Sequence, residues 1–107
     1  MNETCAWPLG SGENLEFTIY SRNEGWYAVA GLYIFTYRAA NGLWHPLYVG
    51  QTDDFSARLP SHEKLQKALQ HGATHIHARI VSQESDRLLL ERMLIQHLRP
   101  ALNVQLK

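Results

Sequence analysis

The sequence predicts an α+β fold in which helices pack on a small sheet. Apolar and polar residues alternate with the two-residue period of a strand in residues 15–20, 32–38 and 75–82. A helical pattern broken by a proline precedes the last of these strands, and the longest helical pattern follows it. Strands that come mainly before helices favour one sheet with helices against it.

Length and composition restrict the classes of protein. A chain of 107 residues is expected to form one domain over residues 1–107, and 45% hydrophobic residues suffice for a packed core. A net charge of zero argues against a strongly basic, non-specific nucleic-acid binder, although a local positive patch can still bind. The single cysteine, Cys5, excludes an intrachain disulfide and fits a cytoplasmic protein. No apolar run reaches the roughly 20 residues of a membrane helix, so no membrane partner is expected.

The first part of the chain predicts one strand. Residues 1–14 contain Pro8 and two glycines with little periodicity, and we expect them to form a flexible arm. Residues 15–20 are expected to form a strand. Trp26 and Tyr27 are expected to pack against the core or the sheet edge rather than to stack on bases.

A hairpin is predicted next. Residues 32–38 form its first strand and residues 47–50 its second. The dipeptide Asn41-Gly42 between them suits a turn with positive φ. The hairpin therefore brings Tyr33 close to Tyr48.

Two helices and a strand complete the pattern. Thr52 or Asp53 is expected to cap a helix that Pro60 interrupts, and Ser61 to cap its continuation. Gly72 ends that continuation. Residues 75–82 form a strand, residues 83–98 the longest helix, and residues 101–107 a short extended tail.

The hairpin resembles the signature of the GIY-YIG nuclease family, whose two triplets read here Gly31-Leu32-Tyr33 and Tyr48-Val49-Gly50. Leu32 and Val49 replace isoleucine, and both remain apolar strand residues. The resemblance covers residues 31–103. It implies an antiparallel three-stranded sheet flanked by helices, with residues 15–20 as an extra N-terminal strand.

Glu91 has an unusual position on the last predicted helix. Its neighbours in helical projection are all apolar, namely Leu88, Leu94, Ile95 and Leu98. A carboxylate there is costly unless it is paired, hydrogen-bonded or bound to a cation. Residue types alone leave two alternatives open. One is a structural carboxylate that meets an arginine such as Arg58 or a backbone N–H, and the other is a functional carboxylate. In the GIY-YIG family a glutamate on this helix holds the catalytic cation, so the resemblance implies that Glu91 binds one Mg²⁺ or Mn²⁺.

Arg58 and His62 lie four residues apart around Pro60. By themselves they would be an exposed arginine and a histidine near a helix cap. The family has an arginine followed at this spacing by a histidine or tyrosine, so the resemblance implies that both residues are catalytic. The family often has another basic residue beside the arginine, where this chain has Ala57 and Leu59.

Three further residues are assigned by the resemblance. It implies that Asn103, Gly31 and Gly50 orient the substrate or support the site. By residue type alone, an asparagine after a helix end is a turn or cap residue.

His71, His75 and His77 raise the possibility of a zinc site, which needs three or four suitably spaced ligands. The sequence offers no cysteine or third close ligand for one. These histidines are expected on a solvated face or near substrate phosphates.

The resemblance implies a metal-dependent endonuclease that hydrolyses phosphodiester bonds in DNA, with RNA as an open alternative. Tyr33 would be the general base that removes a proton from the attacking water. Tyr48 would position Tyr33 or share its hydrogen-bond network, and His62 would assist Tyr33 or accept the proton from it. A phenol, whose pKa is near ~10, needs nearby cations for this task. The alternative is a catalytically inactive nucleic-acid-binding or interaction module on the same fold. Oligomeric state stays open, and a partner protein could supply targeting.

Overall fold

The computed structural model describes residues 3–104 and confirms the α+β class. Its elements in chain order are β1 (Thr4–Pro8), β2 (Asn14–Ser21), β3 (Gly31–Arg38), β4 (Trp44–Thr52), α1 (Phe55–Arg58), a 3-10 turn (Leu59–Ser61), α2 (Glu63–Gln70), β5 (His75–Ile80), α3 (Glu84–Leu98) and α4 (Ala101–Val104).

The sheet has five strands rather than three. Its order is β1-β2-β5-β3-β4, and every neighbouring pair is antiparallel. The prediction of a flexible arm over residues 1–14 is wrong for Thr4–Pro8, which form edge strand β1. Trp7 anchors this strand because its ring is buried in the core, and Pro8 is tolerated at the end of an edge strand. Met1 and Asn2 lie outside the described residues.

Strand β3 lies at the centre of the core, because its first six residues are buried. One face of the sheet, with Leu32 and Ile34, packs against α3 through Leu94. The opposite face, with Tyr33 and Phe35, is covered by α1, α2 and α4. The predicted hairpin is confirmed: β3 pairs with β4 through a turn in which Gly42 has φ of 86°.

The helix starts differ from the prediction by one residue each. Asp54, rather than Thr52 or Asp53, caps α1, and its Oδ1 accepts from the amides of Ser56 and Ala57 at 2.9 and 3.3 Å. Pro60 interrupts the helix as predicted, within the 3-10 turn. His62, rather than Ser61, then caps α2. The imidazole can replace a hydroxyl here because its Nδ1 is also an acceptor.

The C-terminal segment is helical where an extended tail was predicted. Helix α3 ends before Arg99, which has the left-handed φ of 48°, and α4 begins directly after Pro100. Burial of Leu102 against the face that carries Tyr33 stabilises this short helix. Residues 105–107 lie outside the described part of the chain.

His77 is buried, so the expectation of a solvated histidine is wrong for this residue. It is 0% exposed, and its Nδ1 accepts from Trp7 Nε1 at 3.0 Å. The Trp44 ring lies edge-to-face against it, with centroids 4.7 Å apart. Burial lowers the pKa of His77 to about 4. Within residues 3–104, no three His, Cys, Asp or Glu side chains are grouped so as to hold a metal ion.

Stability is expected to fall as the pH drops from about 6.5 to 4. Burial lowers the pKa values of His62 and His77 to about 4, so the unfolded chain binds more protons than the native chain in this range. Each histidine therefore adds up to about 1.4 kcal/mol per pH unit to the slope of the unfolding free energy. Urea unfolding at several pH values measures this slope. His77→Gln should reduce it, the exposed-site control His71→Gln should not, and equal slopes would contradict the assignment.

Candidate active site

The glycines of the two triplets make room for their neighbours. Gly50 lies directly across from Tyr33 in the β3–β4 ladder, and a Cβ on Gly50 would collide with the Tyr33 hydroxyl and ring. A Cβ on Gly31 would collide with the Arg79 carbonyl oxygen of β5 and with the Phe55 ring. Both glycines therefore allow close packing around Tyr33.

Gly50→Ala is expected to lower the unfolding free energy by about 1–3 kcal/mol, the usual cost of an extra methyl group in a packed core. The added methyl group must displace the Tyr33 ring, which is 1% exposed. Gly25→Ala is the matched control, because nothing lies within 4 Å of its added Cβ. Chemical denaturation compares the two variants, and equal stabilities would refute the packing role of Gly50.

Tyr33 and His62 form a buried hydrogen-bonded pair. The Tyr33 hydroxyl lies 2.7 Å from His62 Nε2. His62 Nδ1 accepts from the Lys64 amide at 2.9 Å, which leaves the proton of the neutral ring on Nε2. Burial and then Arg58 lower the pKa of His62 to about 4, so the ring is neutral at pH 7. His62 therefore donates to Tyr33 and holds its oxygen in place.

Tyr48 lies next to this pair, as the hairpin predicted. Its ring centroid is 6.4 Å from that of Tyr33 and 5.3 Å from that of His62. Burial raises the pKa of both tyrosines, and Arg58 acts in the opposite direction on both. Both phenols are neutral at pH 7.

Arg58 reaches the same cluster from the end of α1. Its guanidinium donates to both carboxylate oxygens of Glu63, at 2.8 and 3.0 Å. The hydrogen bonds from Arg58 lower the pKa of Glu63 to about 2. Glu63 was not among the site residues predicted from the sequence. The signal was its position directly after His62, five residues beyond Arg58 and across a helix break.

Glu91 belongs to α3, the helix that packs on the other face of the sheet through Leu94. Its side chain is half-buried, and burial raises its pKa. The negative charge of Glu91 also raises the pKa of Tyr48 and of Tyr33, so the carboxylate lies within electrostatic range of both phenols. Within residues 3–104, its carboxylate makes no ion pair and no side-chain hydrogen bond. The structural alternative, a pair with Arg58, is wrong because Arg58 bonds to Glu63.

Asn103 ties the C-terminal segment to the hairpin. Its Oδ1 accepts from the Val49 amide at 2.8 Å, and its Nδ2 donates to the Val49 carbonyl oxygen at 2.9 Å. These two bonds occupy backbone groups on the free edge of β4, between Tyr48 and Gly50. A side chain that bonds in this way fixes the strand that carries Tyr48.

The structure thus brings the predicted catalytic side chains together from β3, β4, α1, the N-cap of α2 and α3. The cluster, called the tyrosine cluster below, consists of Tyr33, Tyr48, Arg58, His62 and Glu91. It combines the guanidinium of Arg58, the neutral imidazole of His62 as a hydrogen-bond donor, two phenols, and the Glu91 carboxylate, which can bind a cation. Such a set can hold an anion and manage a proton beside it.

The fold and the tyrosine cluster define a GIY-YIG domain, and the chain belongs to the GIY-YIG family. More particularly, the profile of the UvrC-like GIY-YIG domain matches residues 30–104. No curated protein matches the chain.

Solved structures of the GIY-YIG N-terminal endonuclease domain of UvrC from Thermotoga maritima are similar to this chain. The domain bound to magnesium is 26% identical with a TM-score of 0.57, over 70% of this chain and 83% of that chain. A tyrosine-to-phenylalanine mutant bound to its catalytic divalent cation is 28% identical with a TM-score of 0.56, over 70% of this chain and 82% of that chain.

In residues 3–104, no helix is long and apolar enough to cross a membrane.

Proposed function

We propose that the chain is a metal-dependent endonuclease that hydrolyses phosphodiester bonds in DNA. The observation that carries this proposal is the tyrosine cluster, in which the Glu91 carboxylate acts electrostatically on both phenols and has no ion pair or side-chain hydrogen bond within residues 3–104. The related UvrC domain is described as an endonuclease domain bound to its catalytic divalent cation, which supports the same activity here.

The residues fit a divalent cation of the magnesium type. Glu91 offers one half-buried carboxylate, and Mg²⁺ accepts one or two protein carboxylates together with waters and substrate phosphates. A bound Mg²⁺ or Mn²⁺ would neutralise charge on the scissile phosphate and on the leaving oxygen. Tyr48 lies beside the carboxylate, and its phenol would help to hold water there.

Each remaining side chain has a role that follows from its contacts. Arg58 would exchange the exposed Glu63 carboxylate for a phosphate oxygen and stabilise the transition state. Tyr33 would remove the proton from the attacking water. It would do so from its phenolate form and become a neutral phenol, and His62 Nε2–H would stabilise the phenolate oxygen before it takes this proton, which makes His62 a donor rather than a proton acceptor. Asn103, Gly31 and Gly50 would keep the two tyrosine strands in register.

Conversion of supercoiled plasmid tests the proposal. We expect nicked and linear products with Mg²⁺ or Mn²⁺ and none with EDTA. Parallel reactions with single-stranded, branched and duplex DNA would show which DNA structure is cut. RNA of the same sequence would show whether the enzyme requires deoxyribose. A folded chain that cuts none of these with either metal would contradict the proposal.

The second candidate is a nucleic-acid-binding module that does not cut. It is favoured by the zero net charge and by the engagement of Arg58 with Glu63. Such a module would bind DNA with a strong salt dependence and leave it intact in every metal. A cytoplasmic location, in keeping with the free thiol of Cys5, and a targeting partner remain predictions under either candidate.

A further inference from the structure

A groove lies beside the tyrosine cluster, on the same face of the sheet. Its volume is about 610 Å³, which is in the range of small-ligand sites, and β2 and β5 form its floor. Thr18, Ala78 and Tyr33 are successive partners across β2, β5 and β3, and adjacent strands are about 4.8 Å apart. Phe55 lines the groove and also packs against Gly31. The floor of the groove at Ala78 therefore lies one strand away from Tyr33.

Most of the groove comes from residues before the region that the family profile matches. That region begins at residue 30, whereas β2 and the loop at residues 24–27 come earlier in the chain. The segment that turns a smaller sheet into a five-stranded one thus also builds this groove. Its chemistry is a property of this chain rather than of the shared domain.

Aromatic side chains form one wall. Trp26 is half-buried, with Tyr20 edge-to-face against it at 5.1 Å between centroids. Tyr27 also lines the groove and is 83% exposed, a large exposure for an aromatic residue beside a cavity. A firmly held indole with an exposed phenol next to it can stack on a planar ring. Nucleic-acid bases bind to proteins in this way when they are unpaired.

The charged side chains of the groove favour binding of the base of a nucleotide over binding of its phosphate. Glu16 and Glu24 line the groove, and both are exposed. The carboxylate of Glu24 has one long hydrogen bond, from Ser21 Oγ at 3.5 Å, and no ion pair with residues 3–104. Carboxylates repel a phosphate, but they accept hydrogen bonds from the exocyclic amino group of a base, as they do from cytosine N4. Arg79 also lines the groove, but its Nη1 donates to the Glu16 carbonyl oxygen at 3.0 Å, and the two carboxylates outnumber this one cation. The net charge of the lining is therefore negative and suits a base rather than the backbone.

We infer that this groove binds an unpaired nucleobase with an exocyclic amino group, next to the bond that the tyrosine cluster cuts. The inference rests on the proposed function and deepens it, since it assigns a preference for DNA with an unpaired segment. Tyr27 stacks on the base and Glu24 accepts from its amino group. Thymine lacks that group and binds more weakly.

Binding without cleavage tests this groove separately from catalysis. Fluorescence anisotropy in EDTA measures the affinity for short labelled single strands of deoxycytidine and of deoxythymidine. The wild-type chain should prefer deoxycytidine. Tyr27→Ala should weaken both affinities about tenfold, the usual size of one lost stacking contact. Glu24→Ala should remove the preference for deoxycytidine, because alanine has no side-chain acceptor.

Two exposed substitutions serve as controls. Leu43→Ala removes a side chain that is 67% exposed in the β3–β4 turn, and Glu13→Gln removes a carboxylate in the β1–β2 turn. Neither should change binding. The inference is overturned if the wild type binds neither strand, if Tyr27→Ala binds as tightly as the wild type, or if Glu24→Ala keeps the preference. Plasmid nicking by the same proteins tests the proposed nuclease function independently of the groove. If Tyr27→Ala binds like the wild type and still cuts the plasmid, the base-binding role of the groove is refuted and the nuclease function is not.

Discussion

Glu91→Gln is expected to reduce metal-dependent cleavage by about a thousandfold while the fold is kept. The carboxylate is the candidate cation ligand, and a catalytic cation contributes several kcal/mol of transition-state stabilisation. About 1.4 kcal/mol corresponds to a tenfold change in rate, which gives this magnitude. Single-turnover cleavage at saturating Mg²⁺ measures the effect.

Stability separates this catalytic role from a structural one. Burial raises the pKa of Glu91, so its stabilising contribution is present below the ordinary carboxylate pKa and is lost as the pH rises through the raised value. At pH 7 the neutral glutamine should therefore leave the unfolding free energy unchanged or higher. Glu84→Gln, at the exposed start of α3, is the control and should cut normally. A Glu91→Gln chain that unfolds more easily, or that cuts at the wild-type rate, would contradict the assignment.

Tyr33→Phe is expected to lower the cleavage rate by a factor of about 10² to 10⁴, the usual contribution of a general base. The ring still fills the same buried space, but the oxygen that accepts from His62 Nε2–H is lost. The unfolding free energy should also fall by about 1 kcal/mol, because a buried donor loses its partner. Quenched-flow or gel-based single-turnover assays measure the rate.

The pH profile gives a second readout for Tyr33. Burial and the neighbouring Tyr48 raise its pKa above the ordinary value, so only a small fraction is phenolate at pH 7 and this fraction grows with pH. The wild-type rate should rise with pH through the neutral range, and the residual rate of Tyr33→Phe should rise less. Tyr37→Phe, four residues further along the same face of β3, is the control. Full cleavage by Tyr33→Phe would move the role of base to Tyr48 or His62.

Local patterns predicted the elements of the core well. The two-residue period and the Asn41-Gly42 turn gave the hairpin, and Pro60 gave the helix break. The apolar neighbours of Glu91 showed that its carboxylate needed an explanation, and its position beside Tyr48 agrees with that reading. These features depend on residues close in sequence, where propensity and periodicity decide the structure.

Features that depend on distant contacts were not predictable. Strand β1 forms because Trp7 reaches the core and donates to His77, a partner 70 residues away. Asn103 bonds to Val49 across 54 residues, and the Arg58–Glu63 pair depends on the path of the chain through the 3-10 turn. The tautomer of His62 likewise requires the Lys64 amide, whose direction is set by the cap of α2.

The central claim is that the side chains of the tyrosine cluster form one metal-dependent site. Locating the bound cation in solution tests this claim most directly. Mn²⁺ broadens NMR signals near its binding site, so a titration of the isotopically labelled chain should broaden signals of Tyr48 and Glu91 first. The same titration of Glu91→Gln should leave the Tyr48 signals sharp. Broadening centred elsewhere, or equal broadening in the two proteins, would show that Glu91 does not hold the cation.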